Sequence, residues 1–363
     1  MLATKSIQGK IIGLTNYKRG LLDNEYSEFN RLARWVSECN KEGIDEFAEY
    51  SFVKNKFMVY SQTKQQALRN CQYANKEQPL IICHQSIKIT TNNNKLTSLW
   101  VRISVHGVKG GIWLPVKTSK EKIKLIKECK TRSIKITKEK NVYYINIIIQ
   151  KEVTMKSCSN VLAVDLGERY MAVVSGTAQK QPLFLGRGVR GIRRHYAWLR
   201  KRLGEKKLLK KIKQIGQKES NKVDSILHVI SKRIVEVASK TNSTIVLGDL
   251  KGIRNSTKKK GKRLNRIVAN MPYFKLTEMI KYKAKWSGIE VKKVSEAYTS
   301  RTCSKCGYCD KKNRKTQGQF KCQGCGLELN ADYNATKNIV KRSLGQHLSD
   351  GALAYAHKSI ING

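Results

Sequence analysis

Two Cys-x-x-Cys pairs limit what residues 294–339 can become: VSEAYTSRTCSKCGYCDKKNRKTQGQFKCQGCGLELNADYNATKNI. Cys303/Cys306 and Cys322/Cys325 are separated by fifteen residues. Each pair can present two thiolates from one tight knuckle, and four thiolates at this spacing predict a tetrahedral zinc. Gly307 and Gly326 follow the pairs, where a knuckle commonly needs positive φ. Cys309 forms a third Cys-x-x-Cys with Cys306. Both Cys303-x-x-Cys306 and Cys322-x-x-Cys325 are followed by Gly, so we leave Cys309 as a spare. An all-thiolate set leaves no open position for water, so the zinc is read as structural. Alone, such a ribbon is a binding module. Glu296 before it and Asp332 after it raise the question of chemistry. Asp332 opens DYNATKNI, whose Ala335 and Ile339 share one side, so the acid is expected on a helix.

The charge balance points the same way. Lys and Arg number 72 against 27 Asp and Glu, a net charge of +45 spread along all 363 residues. A field of that size suits a polyphosphate partner rather than a metabolite, so nucleic acid is expected, with neither a membrane nor a small-molecule substrate. There is no 18-residue apolar run, and MLATKSIQGK lacks the apolar core of a signal peptide. Cys39, Cys71, Cys83, Cys129 and Cys158 are scattered singly, the usage of a reducing cytoplasm. A cytoplasmic protein, nucleoid-associated when on DNA, is expected.

Along the chain, residues 1–23 are mixed, with an apolar run at 11–14. From Glu25, Phe29, Leu32, Val36 and Cys39 fall on one helical face, and a second helical stretch covers about 61–76. From Pro79 short β-branched runs follow at 80–82, 87–90, 99–105, 112–116, 134–137 and 142–150. Turn residues such as Asn92-Asn93-Asn94 and Gly110-Gly111 separate them, predicting a small barrel or sandwich. After a boundary near 156–160, VLAVDLGERYMAVVSG reads as a strand–turn–strand with Asp165 ending the first run. Residues 191–217 are very basic and helical. A further helix carries Val223, Leu227, Ile230, Ile234 and Val237 on one face. A short buried strand, 244–247, ends at Gly248-Asp249-Leu250. Residues 253–269, with Lys258, Lys259, Lys260, Lys262 and Arg263, read as a basic loop. A helix over 273–286 leads into a strand, 289–294, that delivers Glu296.

Asp165 in VDLG, then IVLGDLKG, then YTSRTCSKCG and CQGCG, then NADYNATKNI form an ordered set. Together they resemble the nuclease half of TnpB, the transposon-encoded RNA-guided endonuclease related to type V CRISPR effectors and Fanzor proteins. The likeness is specific over about 160–340 and weaker over 1–155. It implies an α+β multidomain protein. Residues 1–24 and 79–156 would form a wedge-like β-barrel, with 25–78 an inserted helical recognition domain. Residues 157–302 and 326–342 would form an RNase H-like (RuvC) domain, with 303–325 an inserted zinc ribbon and 343–363 a partly disordered tail. It further implies a guide RNA from the transposon end, a double-stranded DNA target cut beside a short flanking motif, and one protein copy per RNA.

One position departs from the family. TnpB carries a Glu directly before Asp-Leu, as in Ile-Glu-Asp-Leu; here that position is Gly248. Asp249 matches the family's following residue and by strand alternation faces the other way. Glu296, 48 positions later (296 − 248), stands where the family has a neutral or proline-like residue. In the RNase H topology its strand lies beside the one ending at Gly248, and neighbouring strands are about 4.8 Å apart, roughly a Glu side chain's reach. A branch of TnpB relatives, many Fanzors among them, uses a glutamate rearranged in this way. The resemblance therefore assigns Asp165, Glu296 and Asp332 to two Mg²⁺ roughly 4 Å apart that drive phosphodiester hydrolysis. Two other readings share most of these features: a nuclease-dead RNA-guided DNA binder or repressor, and a guide-free zinc-ribbon nucleic-acid-binding protein.

Overall fold

The computed structural model describes residues 1–42, 53–71, 76–92, 95–249 and 271–345. The basic loop expected over 253–269, the Asn93-Asn94 turn, most of the expected tail and parts of the helical stretch within 25–78 lie outside the described residues. Among those described, no helix is long and apolar enough to cross a membrane. The chain divides into two units, Leu2–Glu152, and Val153–Gly363 together with Met1.

The first unit is built on seven antiparallel strands. β1 (Leu2–Ile11) is central, pairing with β7 (Val142–Glu152) from Leu2↔Glu152 to Lys10↔Tyr144. No alternating pattern marks this strand in the sequence, because Lys, Thr, Ser and Gln fill its outer face. Ala3, Ile7 and Ile11 supply the apolar side chains of the buried face, with Gly9 between the last two. α1 (Asn16–Lys41) follows and starts nine residues earlier than expected, where the Thr15 hydroxyl accepts from Lys18 N at 3.3 Å and caps it. α2 is Ser61–Asn70. The buried Glu25 carboxylate on α1 accepts from Tyr60 N at 2.9 Å and His106 N at 2.8 Å.

β2 (Leu80–Cys83), β3 (Ile87–Thr91), β4 (Leu99–Ile103), β5 (Ile112–Lys117) and β6 (Lys130–Glu139) complete the order β2-β6-β7-β1-β5-β4-β3. A helix not anticipated from sequence, α3 (Lys120–Glu128), joins β5 to β6. The two edge strands, β2 and β3, are linked by the three-residue turn His84–Ser86. Flat, seven strands would hold those edges about 29 Å apart at about 4.8 Å per gap. The link reaches roughly 14 Å. The sheet therefore curls until its edges face each other.

The second unit carries a five-stranded sheet in the order β10-β9-β8-β11-β12. β8 (Asn160–Asp165), β11 (Ser243–Asp249) and β12 (Val291–Ser295) are parallel; β9 (Ala172–Gly176) and β10 (Leu183–Leu185) run antiparallel to them. Both faces are covered, so the central strands read as nearly continuous apolar runs. Leu162, Val164, Ile245 and Leu247 pack under α5 (Leu209–Lys240) and α6 (Tyr273–Trp286). The alternate residues Ala163 and Val246 pack against Ile339 of α7 (Ala331–Ser343). α4 is Gly188–Glu205, and it breaks from α5 at Lys207, whose φ is 53°. This break falls earlier than the end of the expected basic helix at 217, because the basic run offers no apolar period to mark it.

Candidate active site

Strand alternation decides which acids share a face. Asp165 is two residues beyond Ala163, and Gly248 two beyond Val246, so both project toward α7. Asp249 follows Leu247 onto the opposite face, where its Oδ1 lies 3.6 Å from Lys293 Nζ. β11 and β12 pair in parallel with Gly248↔Val294, so Glu296 is two residues past Gly248's partner, on Gly248's side. Asp332 comes from the first turn of α7, which is capped by the Asn330 side chain accepting from Asp332 N at 3.0 Å and Tyr333 N at 3.2 Å. Its carboxylate hangs over the VDLG turn: a Cβ on Gly167 would stand 3.9 Å from Asp332 Oδ2.

Glu296 folds back over Gly248. A Cβ built on Gly248 would meet Glu296 Oε1 at 1.7 Å and its Cδ and Cγ at 2.1 Å each. The glutamate thus fills the space in which a side chain at 248 would begin, and the absence of a Cβ there is a condition of its position. Glu296 Oε1 is buried and has no hydrogen-bond partner among the described residues. A desolvated carboxylate oxygen without a donor is costly unless a cation comes to it.

The electrostatics agree. Burial, then the charges of Glu296 and Asp332, hold the Asp165 carboxyl well above the usual range. Burial and the charge of Asp249 push Glu296 up to about 7. Asp332, 7% exposed, is raised by burial against the pull of Arg314 and Arg169. Three desolvated carboxylates, with Asp165 raised further by the charges of the other two, are a donor set for a hard divalent cation. They stand less tightly gathered than the four cysteines, which form the group of ligand-type side chains held close enough, among the described residues, to take an ion as they stand.

In that group, ligand atoms of Cys303, Cys306, Cys322 and Cys325 all lie within 4.8 Å of one another. Cys303 Sγ is 3.6 Å from Cys325 Sγ, and Cys306 Sγ 3.5 Å from Cys322 Sγ. Backbone N–H groups of Lys305, and of Gly324 and Cys325, donate to Cys303 Sγ and Cys322 Sγ at 3.4 Å, so the knuckles already solvate thiolate charge. Gly307 and Gly326 have φ of 79° and 70°. Cys309 stands outside the group, bridged by its backbone to Thr302. This geometry fits zinc.

The residues around the acids carry no sequence signal of their own. Arg314 Nη2 donates to Asp332 Oδ1 at 3.5 Å, from within a basic run, KKNRK, that does not single it out. Tyr273, at the start of α6, has its hydroxyl pKa raised by burial and by Glu168, Asp165, Glu296 and Asp332, which places it beside the site. On α7, Asn334 and Asn338 are fully buried and donate to Thr302 O at 2.7 Å each; Asn338 also donates to Thr299 O at 2.8 Å. Their spacing of four was legible as one helix face; their partners were not.

Comparison with known proteins adds the family. Residues 273–339 match the family model described as Cas12f1-like, TNB domain. The chain is 42% identical over 137 residues to the CRISPR-associated endodeoxyribonuclease Cas12f1 of Sulfoacidibacillus thermotolerans, covering 38% of this chain and 31% of that protein. It spans about a third of the length of the Cas12f1 relatives it matches, 31% and 37%. A cryo-EM structure of a Cas12f1–sgRNA–target DNA complex superposes with a TM-score of 0.66 at 15% identity, covering 93% of this chain and 99% of that one. At that identity the likeness concerns the mixed α/β fold alone. The TnpB-like protein MJ0751 of Methanocaldococcus jannaschii is 32% identical over 232 residues, 61% of this chain and 82% of that protein. On that match, with the acids and cysteines in the order already described, the chain belongs to the TnpB family.

Proposed function

We propose that this chain is an RNA-guided DNA endonuclease that hydrolyses phosphodiester bonds with Mg²⁺ held by Asp165, Glu296 and Asp332. The observation that carries the reading is Glu296 lying in the space above Gly248, which supplies from β12 the acid missing from β11. The relatives' own names, endodeoxyribonuclease among them, support the activity, and the net charge of +45 supports nucleic-acid partners. Bound magnesium would supply Lewis-acid polarisation of the phosphate and a more acidic attacking water. The chain's own residues do the rest. Protons held on the buried Asp165 and Glu296 would leave as cations arrive, with Asp332 as the third ligand. Arg314 neutralises Asp332 until then and offers its fork to a phosphate oxygen. The Cys303, Cys306, Cys322 and Cys325 zinc fixes the 303–325 insertion that carries Arg314.

In this reading residues 157–302 and 326–342 form a RuvC-like nuclease around 303–325. Residues 1–24 with 79–156 are a wedge-like barrel, and 25–78 the recognition insertion. The guide derives from the transposon end, and cutting occurs beside a short flanking motif. The test is to purify the full chain, sequence its bound RNA, and supply a plasmid matching that RNA with Mg²⁺. One defined RNA and matched, magnesium-dependent cleavage are expected. A defined RNA with matched binding but no cleavage would leave a nuclease-dead binder; no defined RNA would leave a guide-free zinc-ribbon protein.

A further inference from the structure

Moving the acid from β11 to β12 leaves a mechanical problem. At position 248 a glutamate would be fixed by the sheet, because β11 is hydrogen-bonded between β8 and β12. Glu296 instead lies one residue past the end of β12, where the ladder stops. Its Oε1 has no hydrogen-bond partner among the described residues, so no donor locates that oxygen directly. What holds the loop is its backbone. Arg342 Nη1 donates to Ser295 O and Arg342 Nη2 to Ala297 O, each at 2.5 Å, so one guanidinium grips the carbonyls on both sides of Glu296. Next in the chain, Tyr298 is held at φ 62°, a left-handed conformation that a bulky residue adopts only under constraint.

Arg342 continues the stripe of Asn334 and Asn338 at a spacing of four, and all three donate into carbonyls between Ser295 and Thr302. That helix also carries Asp332 in its first turn. We infer that Arg342 is a positioning residue whose planar fork sets Glu296 at a fixed place relative to Asp332, standing in for the sheet that holds the acid when it is at position 248. Its role as a contributor to catalysis rests on the nuclease reading above; the clamp itself does not. A lysine donates from one nitrogen on a flexible stem rather than from two held in a rigid plane, so Arg342→Lys should recover only part of the effect.

The test uses the purified full chain with its co-purifying RNA and compares wild type, Arg342→Ala and Arg342→Lys. Hydrogen exchange at amides 296–300 should quicken at least tenfold in Arg342→Ala and less in Arg342→Lys. Exchange across 303–325 and the zinc content should stay unchanged. Mn²⁺ affinity, read by electron paramagnetic resonance, should weaken several-fold. If the chain cleaves DNA, the single-turnover rate should fall about a hundredfold, as expected for a reacting group displaced by about 1 Å, with matched-DNA binding retained. In the background Gly248→Glu with Glu296→Ala, adding Arg342→Ala should leave exchange at 296–300 faster while Mn²⁺ affinity no longer responds. Unchanged exchange and Mn²⁺ affinity in Arg342→Ala would overturn the inference. So would loss of zinc, which would make Arg342 a folding residue of the insertion. If wild type cleaves nothing while exchange and Mn²⁺ affinity respond as stated, the clamp stands and the nuclease reading falls.

Discussion

Gly248→Ala is a one-carbon perturbation whose consequence can be worked out from the structure. The new Cβ would stand 1.7 Å from Glu296 Oε1 and 2.1 Å from its Cδ and Cγ. Non-bonded carbon atoms rest at about 3.5 Å or more, so the carboxylate must retreat by roughly 1.5 Å. The backbone does not resist the change, since Gly248 is not among the positive-φ glycines. The obstacle is the far end of a flexible side chain, so the fold should survive. A crowding cost of about 1 kcal/mol is offset by a gain of roughly 0.5–1 kcal/mol from replacing glycine in a strand. Stability should change by less than about 1 kcal/mol while the acid leaves its place. A reacting group displaced by about 1 Å can cost on the order of a hundredfold. The assay is single-turnover cleavage of guide-matched DNA at saturating Mg²⁺, with thermal unfolding in parallel. A rate within threefold of wild type would refute the claim that Glu296 works from the space above Gly248. Gross unfolding would refute the packing argument.

Other expectations follow from the same geometry. Cys322→Ser should remove the zinc and destabilise the 303–325 insertion, because structural zinc contributes on the order of 10 kcal/mol to local folding, whereas Cys309→Ser should keep the metal; zinc analysis of both variants decides it. Glu296 is pushed from 4.5 to about 7 in the folded chain, so the native state binds the extra proton and metal-free stability falls as pH rises between those values. The full shift is worth about 3 kcal/mol at 1.36 kcal/mol per unit, so Glu296→Gln should be the more stable protein at pH 8 and lose most of that advantage near pH 4.5 in metal-free thermal scans. At sub-saturating Mg²⁺ the same shift makes cleavage rise with pH through about 7, since cation binding must displace that proton; a rate flat from pH 6 to 8 under those conditions would contradict it. Asp249→Ala should cut within about tenfold of wild type, because that carboxylate faces Lys293 on the other side of the sheet.

The parts of this site that were legible in the sequence are those fixed by short-range spacing. Four cysteines in two knuckles can do little else, and Asp332 announces itself by opening a helix that Asn330 caps. Glu296 was legible only as a coincidence, a carboxylate gained in the same chain that lost one at Gly248; its place depends on the β11–β12 register, which no local pattern encodes. Arg314, Arg342 and Tyr273 could not be picked out. Arg314 lies in a basic run, Arg342 beside Lys341 and Tyr273 beside Phe274, and each matters through a partner distant in sequence, as Arg342 does at Ser295 and Ala297. β1 escaped for a different reason: it is a central strand whose outer face is polar, so few apolar residues carry its alternation.

Cleavage by Glu296→Ala, measured beside wild type and Asp165→Ala, tests the central claim most directly. Each protein would carry its own RNA and meet matched DNA and Mg²⁺. If Glu296 holds the metals as proposed, removing it should cost several decades in rate, as removing Asp165 should, while guide-directed DNA binding persists. Wild-type-like cleavage by Glu296→Ala would contradict the account, because the acid lost at Gly248 would then have no replacement at 296.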